Sequence, residues 1–373
     1  LNQKKKQVEK IFEKQVGLDK FKVDQIIEAD PIFNYRNKME FTFSKNRWIL
    51  EEEPLGVESD FALGMHIPRR WDKILDIDSC DIMPSVGSKI VNFVRDLSKK
   101  SSLKPYDQKT HIGFLRYLML RFGQNTNELM VNIVTAYEDL DRLVPFVSQL
   151  TTEFSEITTV VNNINTRKAD VSFGEKEILL YGQPVLKEKL KNLTFQISSN
   201  SFFQTNTHMA EKLYDVILDE VDSSSNEIAY DLYCGAGSIS LFLAQKVKFV
   251  YAFDIIVSSI ENAEENALYN NVENVDFKVA NLDTYFDNHR LSGRPKPDIV
   301  VVDPPRSGMH KKMTSFLPRL QAKKIIYVSC NPTTQARDAQ ILLDKGYDLE
   351  KLTIVDMFPH TPHIESVGIF TKK

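Results

Sequence analysis

Cys330 lies in Lys323-Lys324-Ile325-Ile326-Tyr327-Val328-Ser329-Cys330-Asn331-Pro332-Thr333-Thr334, where a short apolar run stops at an Asn-Pro pair. A β-branched and aromatic run of this length reads as a buried strand, and Asn331-Pro332 as the turn that ends it. Ligands of open α/β sheets bind beyond the carboxyl ends of the strands, so a thiol delivered there is placed to act as a nucleophile. Position alone leaves open a second use, because free cysteine also serves as a small buried hydrophobe. The tail Met357-Phe358-Pro359-His360-Thr361-Pro362-His363-Ile364-Glu365-Ser366 offers Glu365 as a general base alongside that thiol. A metal reading of His360, His363 and Glu365 lacks helical spacing and a fourth ligand.

Tyr233-Cys234-Gly235-Ala236-Gly237-Ser238 follows the apolar run Ile228 to Leu232, and Asp254 ends the next run, Phe249 to Phe253. Glycines here let backbone approach a ligand closely, and an acidic residue roughly 20 positions on is where a ribose-binding carboxylate belongs. The pattern predicts an adenosine-type cofactor. Leu241 or a neighbour stands where a pyrophosphate-binding loop carries its third glycine, so S-adenosylmethionine fits better than a dinucleotide. Such glycine pairs also occur for structural reasons alone.

Asp303-Pro304-Pro305-Arg306-Ser307-Gly308 follows the wholly apolar Ile299 to Val302. Paired prolines fix an extended rim without free N–H groups, a wall suited to a planar substrate. Amino-directed methyltransferases place an aromatic residue after such prolines; Arg306 instead suggests a cation near a carbonyl or phosphate. Further upstream, Tyr35-Arg36-Asn37-Lys38 and His66-Ile67-Pro68-Arg69-Arg70-Trp71 mix cations with aromatics, the combination that grips phosphates and stacks on unpaired bases. Taken singly, either cluster equally describes a charged turn.

The elements that must position these residues divide the chain. From about residue 198, strands and helices alternate, including helices at 209–221, 239–246 and 257–269, which predicts a parallel sheet with helices on both faces. Residues 1–197 form an α+β domain on this reading, with period-two runs such as 38–44, 112–121, 129–134 and 158–164, and helices at 86–99 and 140–154. The first 16 residues predict an amphipathic helix, free to pack on the second domain, whose lysines are either solvated or touch phosphate. The expected fold class is α/β: a doubly wound, Rossmann-like catalytic domain, residues 198–373, preceded by the α+β domain.

At 373 residues, with 42% apolar residues and a net charge of -4, the chain suits two globular domains and excludes a uniformly basic nucleic-acid coat. No apolar run approaches a membrane span, and Leu1-Asn2-Gln3-Lys4-Lys5-Lys6 lacks a signal-peptide core. Three widely spaced cysteines, Cys80, Cys234 and Cys330, suit neither a disulfide framework nor a paired-cysteine metal site. The expectation is a reducing, cytoplasmic setting and a monomer. A start at leucine suggests a fragment.

The ordered set Gln204 in Phe202-Phe203-Gln204-Thr205-Asn206, Asp231-Leu232-Tyr233-Cys234-Gly235, Asp303-Pro304-Pro305-Arg306, Ser329-Cys330-Asn331-Pro332-Thr333-Thr334 and Phe358-Pro359-His360-Thr361, extended by Tyr35 to Phe41, resembles the RNA uracil-C5 methyltransferases. The resemblance implies Cys330 as nucleophile and Glu365 as base. It implies Gln204, Tyr233, Gly235, Gly237, Ser238, Asp254, Asn281 and Asp303 around S-adenosyl-L-methionine, and an RNA substrate met by Arg306, Arg36 and Lys38. Ser238 stands where the family often has asparagine, and Asp254 where glutamate is usual; both keep a hydrogen-bonding group. In the ribosomal-RNA branch, three cysteines upstream of a helix like residues 1–16 join a fourth, in a segment like Asp76 to Cys80, around a [4Fe-4S] cluster. Cys80 thereby points to 23S rRNA and to a missing N-terminal segment, although one thiolate alone holds no cluster. A compact tRNA enzyme with a structural Cys80 is the alternative. A cytosine-C5 enzyme is disfavoured by Arg306, where its RNA-directed versions carry a second cysteine, and a silent RNA-binding protein is the remaining reading.

Overall fold

The computed structural model describes every residue except 55, 170, 223–225 and 286–293, together with all side chains of the others but Trp71, Asp283 and Tyr285. Helix α1 (Asn2–Val16) turns Val8, Phe12 and Val16 inward at a spacing of one helical turn, and Gly17, with φ 74°, ends it in the left-handed conformation that glycine adopts without strain. Lys6, Lys10 and Lys14 lie on its exposed side. Strand β1 (Gln25–Ile27) follows.

Strands β2 (Lys38–Ser44), β3 (Ala62–Ile67), β4 (Arg70–Asp76), β5 (Leu115–Gly123), β6 (Glu128–Thr135), β7 (Thr159–Ile164) and β8 (Lys176–Gly182) form a seven-stranded sheet in the order β4-β3-β2-β5-β6-β7-β8. All its pairings are antiparallel except β6 with β7. Helices α2 (Ser85–Lys100) and α3 (Leu140–Glu153) bury Ile90, Val91, Leu143 and Phe146 against Phe41, Leu118 and Val131 of the sheet. The strand expected from residue 112 begins at Leu115, because Gly113 takes φ 126° in a turn closed by backbone bonds to Lys104 and Tyr106. Strands β9 (Leu186–Leu190) and β10 (Leu193–Ile197) form a separate two-stranded ribbon.

The second half comprises α4 (Thr207–Leu218), β11 (Ile228–Leu232), α5 (Ser238–Ala244), β12 (Phe249–Asp254), α6 (Val257–Tyr269), β13 (Val275–Val279), α7 (Leu282–Tyr285), β14 (Ile299–Val302), α8 (Lys311–Phe316), β15 (Lys324–Ser329), α9 (Pro332–Asp344), β16 (Tyr347–Val355) and β17 (Glu365–Lys372). Its eight-stranded sheet runs β1-β16-β17-β15-β14-β11-β12-β13. Every neighbouring pair described is parallel except those made by β17, which is antiparallel to both β15 and β16. Helices α1, α8 and α9 cover the face that carries Tyr230, Val300 and Ile325, and α5 packs on the other, where Ser240 meets Asp231.

The chain separates into two compact units, one of residues 1–32, 190–195 and 201–373, the other of residues 33–189 and 196–200. A boundary at 197/198 would assign residues 1–32 to the first half. They lie instead in the unit that holds residues 201–373, because β1 adds to β16 and because Phe12 and Val8 join the core beside Ala339 and Leu342 of α9. No described helix is long and apolar enough to cross a membrane.

Candidate functional site

The C-terminal edge of the parallel strands carries the residues with chemical potential. Strand order reverses between β14 and β11, and the crevice beyond such a switch point is the usual ligand site of an open sheet. Beyond β11 the chain enters a tight loop, with φ of 69° at Tyr233, 53° at Gly235 and 81° at Gly237, the last residue capping α5. The N–H groups of Tyr233 and Cys234 donate to the Phe253 carbonyl at 2.9 and 3.0 Å. Gly235 N–H donates to Asp254 Oδ2 at 3.0 Å, while Asp254 Oδ1 accepts from Ile256 N–H at 2.8 Å. The two glycines do different things. A Cβ on Gly237 would stand 2.9 Å from Ala263 Cβ and from the Phe277 ring, so this glycine permits close packing; Gly235 opens on space with nothing within 4 Å.

Asp231, fully buried at the end of β11, accepts from Ser240 O–H at 2.5 Å, and its other oxygen has no partner among the described residues. Burial pushes its carboxyl up to about 7, against the Ser240 hydrogen bond and with the help of nearby Asp254. Ser238 Oγ accepts from the buried Tyr214 hydroxyl at 2.9 Å. Gln204 is buried just before α4, whose cap Asn206 accepts from Met209 N–H at 3.2 Å and donates to the Met357 carbonyl at 3.0 Å. Asn281 is exposed beyond β13.

These groups fit S-adenosylmethionine. The space at Gly235 admits a ligand against backbone, Asp254 keeps lone pairs for ribose hydroxyls, and the acidic groups Asp231 and Asp303 favour a ligand carrying an ammonium and a sulfonium. A pyrophosphate would meet the same carboxyls with repulsion.

Cys330 and Glu365 meet at one edge of the sheet. Ser329, the last residue of β15, is paired with Ser366 of β17, so Cys330 directly follows the end of β15 and Glu365 opens the antiparallel β17. Ser366 Oγ donates to Gln335 Oε1 at 2.7 Å, and Gln335 donates to the Tyr327 carbonyl at 2.9 Å, so α9 ties the two strands together beside the pair. Cys330 is half-buried and Glu365 is 3% exposed. Burial raises Glu365 well above the usual carboxylate range, with Asp303 adding to it; burial and then Asp231 raise Asp303 to about 7. Burial likewise pushes the Cys330 thiol up to about 11, Glu365 and Asp303 adding to the rise and Arg306 opposing it. Nucleophilic use of the thiol calls for an electropositive setting; in the free chain the setting is partly open but ringed by acidic groups.

Arg306 is exposed on the loop after β14, and its carbonyl accepts from Asn331 Nδ2 at 3.0 Å. Arg36 and Lys38 belong to the other compact unit. Arg36 Nε donates to the Lys38 carbonyl at 3.1 Å, and Lys38 Nζ pairs with Glu40 at 2.7 Å, which leaves less of either cation for a phosphate. Burial, and then Arg121, hold Lys38 below the usual amine range. Arg70 of the other aromatic and basic cluster stacks on Trp48 at 5.7 Å; the Trp71 side chain is outside the described residues. Cys80 packs part-buried against the α2 core, its N–H donating to Ser88 Oγ at 3.1 Å. One thiol does not supply the ligands an iron–sulfur cluster takes, and no group of three metal-ligating side chains occurs among the described residues. His360 adopts φ 62°, and His363 lies edge-on to Phe358 with ring centroids 5.9 Å apart. Of the buried or capping residues at this edge, Asp231 and Asn331 enter the sequence reading only within motifs, and Asp338 not at all. Asp231 had a signal, as the acidic end of an apolar strand; Asp338 had none, being one charge in a helix.

Fold and site together define the class of S-adenosylmethionine-dependent methyltransferases. Residues 147–373 match the family model of tRNA (Uracil-5-)-methyltransferase. Over its whole length the chain is 39% identical to an uncharacterized RNA methyltransferase of Chlorobaculum tepidum, covering 78% of that protein, and 34% identical to one of Staphylococcus aureus, covering 80%. The crystal structure of Pyrococcus abyssi tRNA (uracil-54, C5)-methyltransferase in complex with S-adenosyl-L-homocysteine superimposes with a TM-score of 0.78 at 30% identity, over 99% of this chain and 83% of that one. The chain belongs to the RNA uracil-5 methyltransferase family and is an RNA methyltransferase.

Proposed function

We propose that the protein methylates C5 of a uridine in RNA, with Cys330 as nucleophile and Glu365 as base. The observation that supports this reading is that Cys330 and Glu365 each lie one residue past the Ser329–Ser366 pair, beside a loop whose Arg306 carbonyl accepts from Asn331. Uracil C5 is too weak a nucleophile to take a methyl group unaided. Addition of the Cys330 thiolate to C6 forms an S–C6 bond and pushes the electron pair toward C5 and the O4 carbonyl, where Arg306 is assigned to meet developing charge. S-adenosylmethionine, when bound, supplies an electrophilic methyl group on a positively charged sulfur. Gln204, Tyr233, Gly235, Gly237, Ser238, Asp254, Asn281 and Asp303 are assigned to hold it. Once C5 bears the methyl group, Glu365 takes the C5 proton, the C5=C6 bond returns and the S–C6 bond breaks with its electron pair on sulfur, which leaves Cys330 free as thiolate. Burial makes Glu365 a stronger base than an exposed carboxylate, and a cation bound beside Asp303 favours its ionised form. The target uridine must leave its stack to reach this rim, at a cost of about a few kcal/mol that unpaired loops incur least.

The test is methyl transfer from labelled cofactor to RNA followed by nucleoside analysis. 5-Methyluridine that disappears with Cys330→Ala supports the proposal, whereas 5-methylcytidine or unlabelled RNA sinks it. The same assay on 23S rRNA and on tRNA transcripts separates the two substrates: Cys80 favours the former, and the name of the Pyrococcus relative the latter.

A further inference from the structure

The loop that follows β14 is held by the helix that follows Cys330. Asp338, on the second turn of α9 and 1% exposed, accepts from Met309 N–H at 3.1 Å and from the Tyr327 hydroxyl at 2.8 Å through one oxygen. Its other oxygen accepts from Arg337 Nε at 2.8 Å, and Arg337 also donates to the Met309 carbonyl at 2.9 Å. Gly308 lies under this clamp with φ 75°, and an added Cβ would stand 2.8 Å from Thr334 Cβ and 3.1 Å from Asp338 Oδ2. At the near end, Asn331 caps α9 and donates to the Arg306 carbonyl. The Arg306 loop is thus bonded at both ends to the first turns of α9, whose cap, Asn331, directly follows the thiol-bearing residue. A buried carboxylate that spends its hydrogen bonds on loop backbone, on the Cys330 strand and on a neighbouring arginine ties three segments into one unit.

We propose that Asp338 is a positioning residue, through which α9 holds the Arg306 loop at a set distance from Cys330. The inference rests on the assignment of Cys330 as nucleophile and extends it: Asp338 touches neither thiol nor substrate and acts through Arg306. Arg306 is the cation that opposes the acidic groups around Cys330, so a loop that drifts leaves the thiol more fully protonated.

The test needs no RNA. Carbamidomethylation of Cys330 in the full chain is followed by peptide mass spectrometry from about pH 7 to 10, where the rate tracks the thiolate fraction. Arg306→Ala is expected to slow the reaction about three- to tenfold at pH 8, equivalent to roughly half to one pKa unit. Asp338→Ala is expected to slow it in the same direction, and the double variant to be no slower than Arg306→Ala, because effects routed through one group do not add. Asp338→Asn, which keeps an acceptor oxygen for Met309 N–H, is expected to restore the rate. Should Asp338→Ala not fold, Gly308→Ala displaces the same loop from the other side and is expected to slow the reaction likewise. Unchanged alkylation in Gly308→Ala, or full additivity of Asp338→Ala with Arg306→Ala, overturns the proposal. Neither result bears on RNA methylation by the unmutated chain, which is read separately and decides the function itself.

Discussion

Cys330 and Glu365 each lie one residue past the Ser329–Ser366 pair, at the edge where β15 ends and the antiparallel β17 begins. Antiparallel neighbours put residues from distant parts of the chain within a side chain's reach. A parallel final strand would have sent the carboxyl to the opposite edge. The reversed strand β17 therefore brings the Glu365 carboxyl to the edge that carries Cys330, and Gln335, bonded to Tyr327 on one strand and Ser366 on the other, bridges the two.

The two members of the pair should fail at different steps. Cys330→Ala removes the group that activates C5, and methyl transfer is expected to fall at least about a thousandfold while cofactor binding by calorimetry is retained. Glu365→Gln leaves addition and methylation possible but removes the acceptor of the C5 proton. It is expected to accumulate a protein–RNA adduct that survives denaturing electrophoresis. An adduct formed equally by the double variant with Cys330→Ala would show that another group attacks the base.

The glycines of the β11–α5 loop should separate ligand binding from folding. Gly237→Ala drives a Cβ into Ala263 and Phe277 and is expected to cost about 1–3 kcal/mol in chemical denaturation. Gly235→Ala meets no protein atom, so its cost is confined to about 1 kcal/mol for a left-handed alanine. Its main effect is expected on cofactor affinity, since the methyl enters the space assigned to the ligand. Equal losses of affinity and stability in both variants would contradict that division.

Much of this was legible in the residues, for local reasons. Apolar runs of strand length ending in Gly, Asp-Pro or Asn-Pro mark β11, β14 and β15, and the helix at Val257–Tyr269 has the bounds its periodicity predicts. What could not be read is pairing between distant segments. Gln25-Ile26-Ile27 is too short to announce a strand, yet β16 gives it a partner. In α1 the apolar stripe says that a face is buried without saying against what, and a domain boundary drawn from the sequence consequently leaves residues 1–32 with the other unit. Electrostatics were the least legible part: the acidic groups around Cys330, Asp303 and Glu365, come from the ends of β14 and β17, and each in isolation is one polar residue at a strand end.

Those acidic groups should tilt the stability of the protein with pH. The carboxyls of Asp303 and Glu365 are raised in the folded state, so the unfolded chain releases their protons first as pH rises. Their contribution is present in full below the unfolded value of about 4 and declines as pH passes through the folded value of Asp303, about 7. Asp303→Asn is expected to unfold like the parent at pH 4 and to be more stable at pH 8 by about 1–2 kcal/mol, less than the full shift because Glu365 shares the site. Removing the charge also lowers the Cys330 thiol, so its alkylation profile should move to lower pH. A parent that gains stability from pH 4 to pH 8 relative to Asp303→Asn would reverse the sign and refute the account.

Helix α1 should behave as part of the catalytic unit. Phe12 is fully buried and stacks on Phe21 with ring centroids 5.1 Å apart, in the same core as Ile325 and Tyr327 beneath the Cys330 strand. Phe12→Ala is expected to cost about 3–5 kcal/mol, with the cavity opening in that core. Lys4 acts more locally, since its ammonium donates to Asp356 at 2.8 Å and to the Phe358 carbonyl at 2.9 Å, at the start of the segment that leads to Glu365. Lys4→Met keeps the apolar stem and removes both bonds, so hydrogen exchange should quicken across residues 356–363 while the melting temperature changes little. Exchange confined to its parent rate would mean that β16 and β17 hold this segment without the helix.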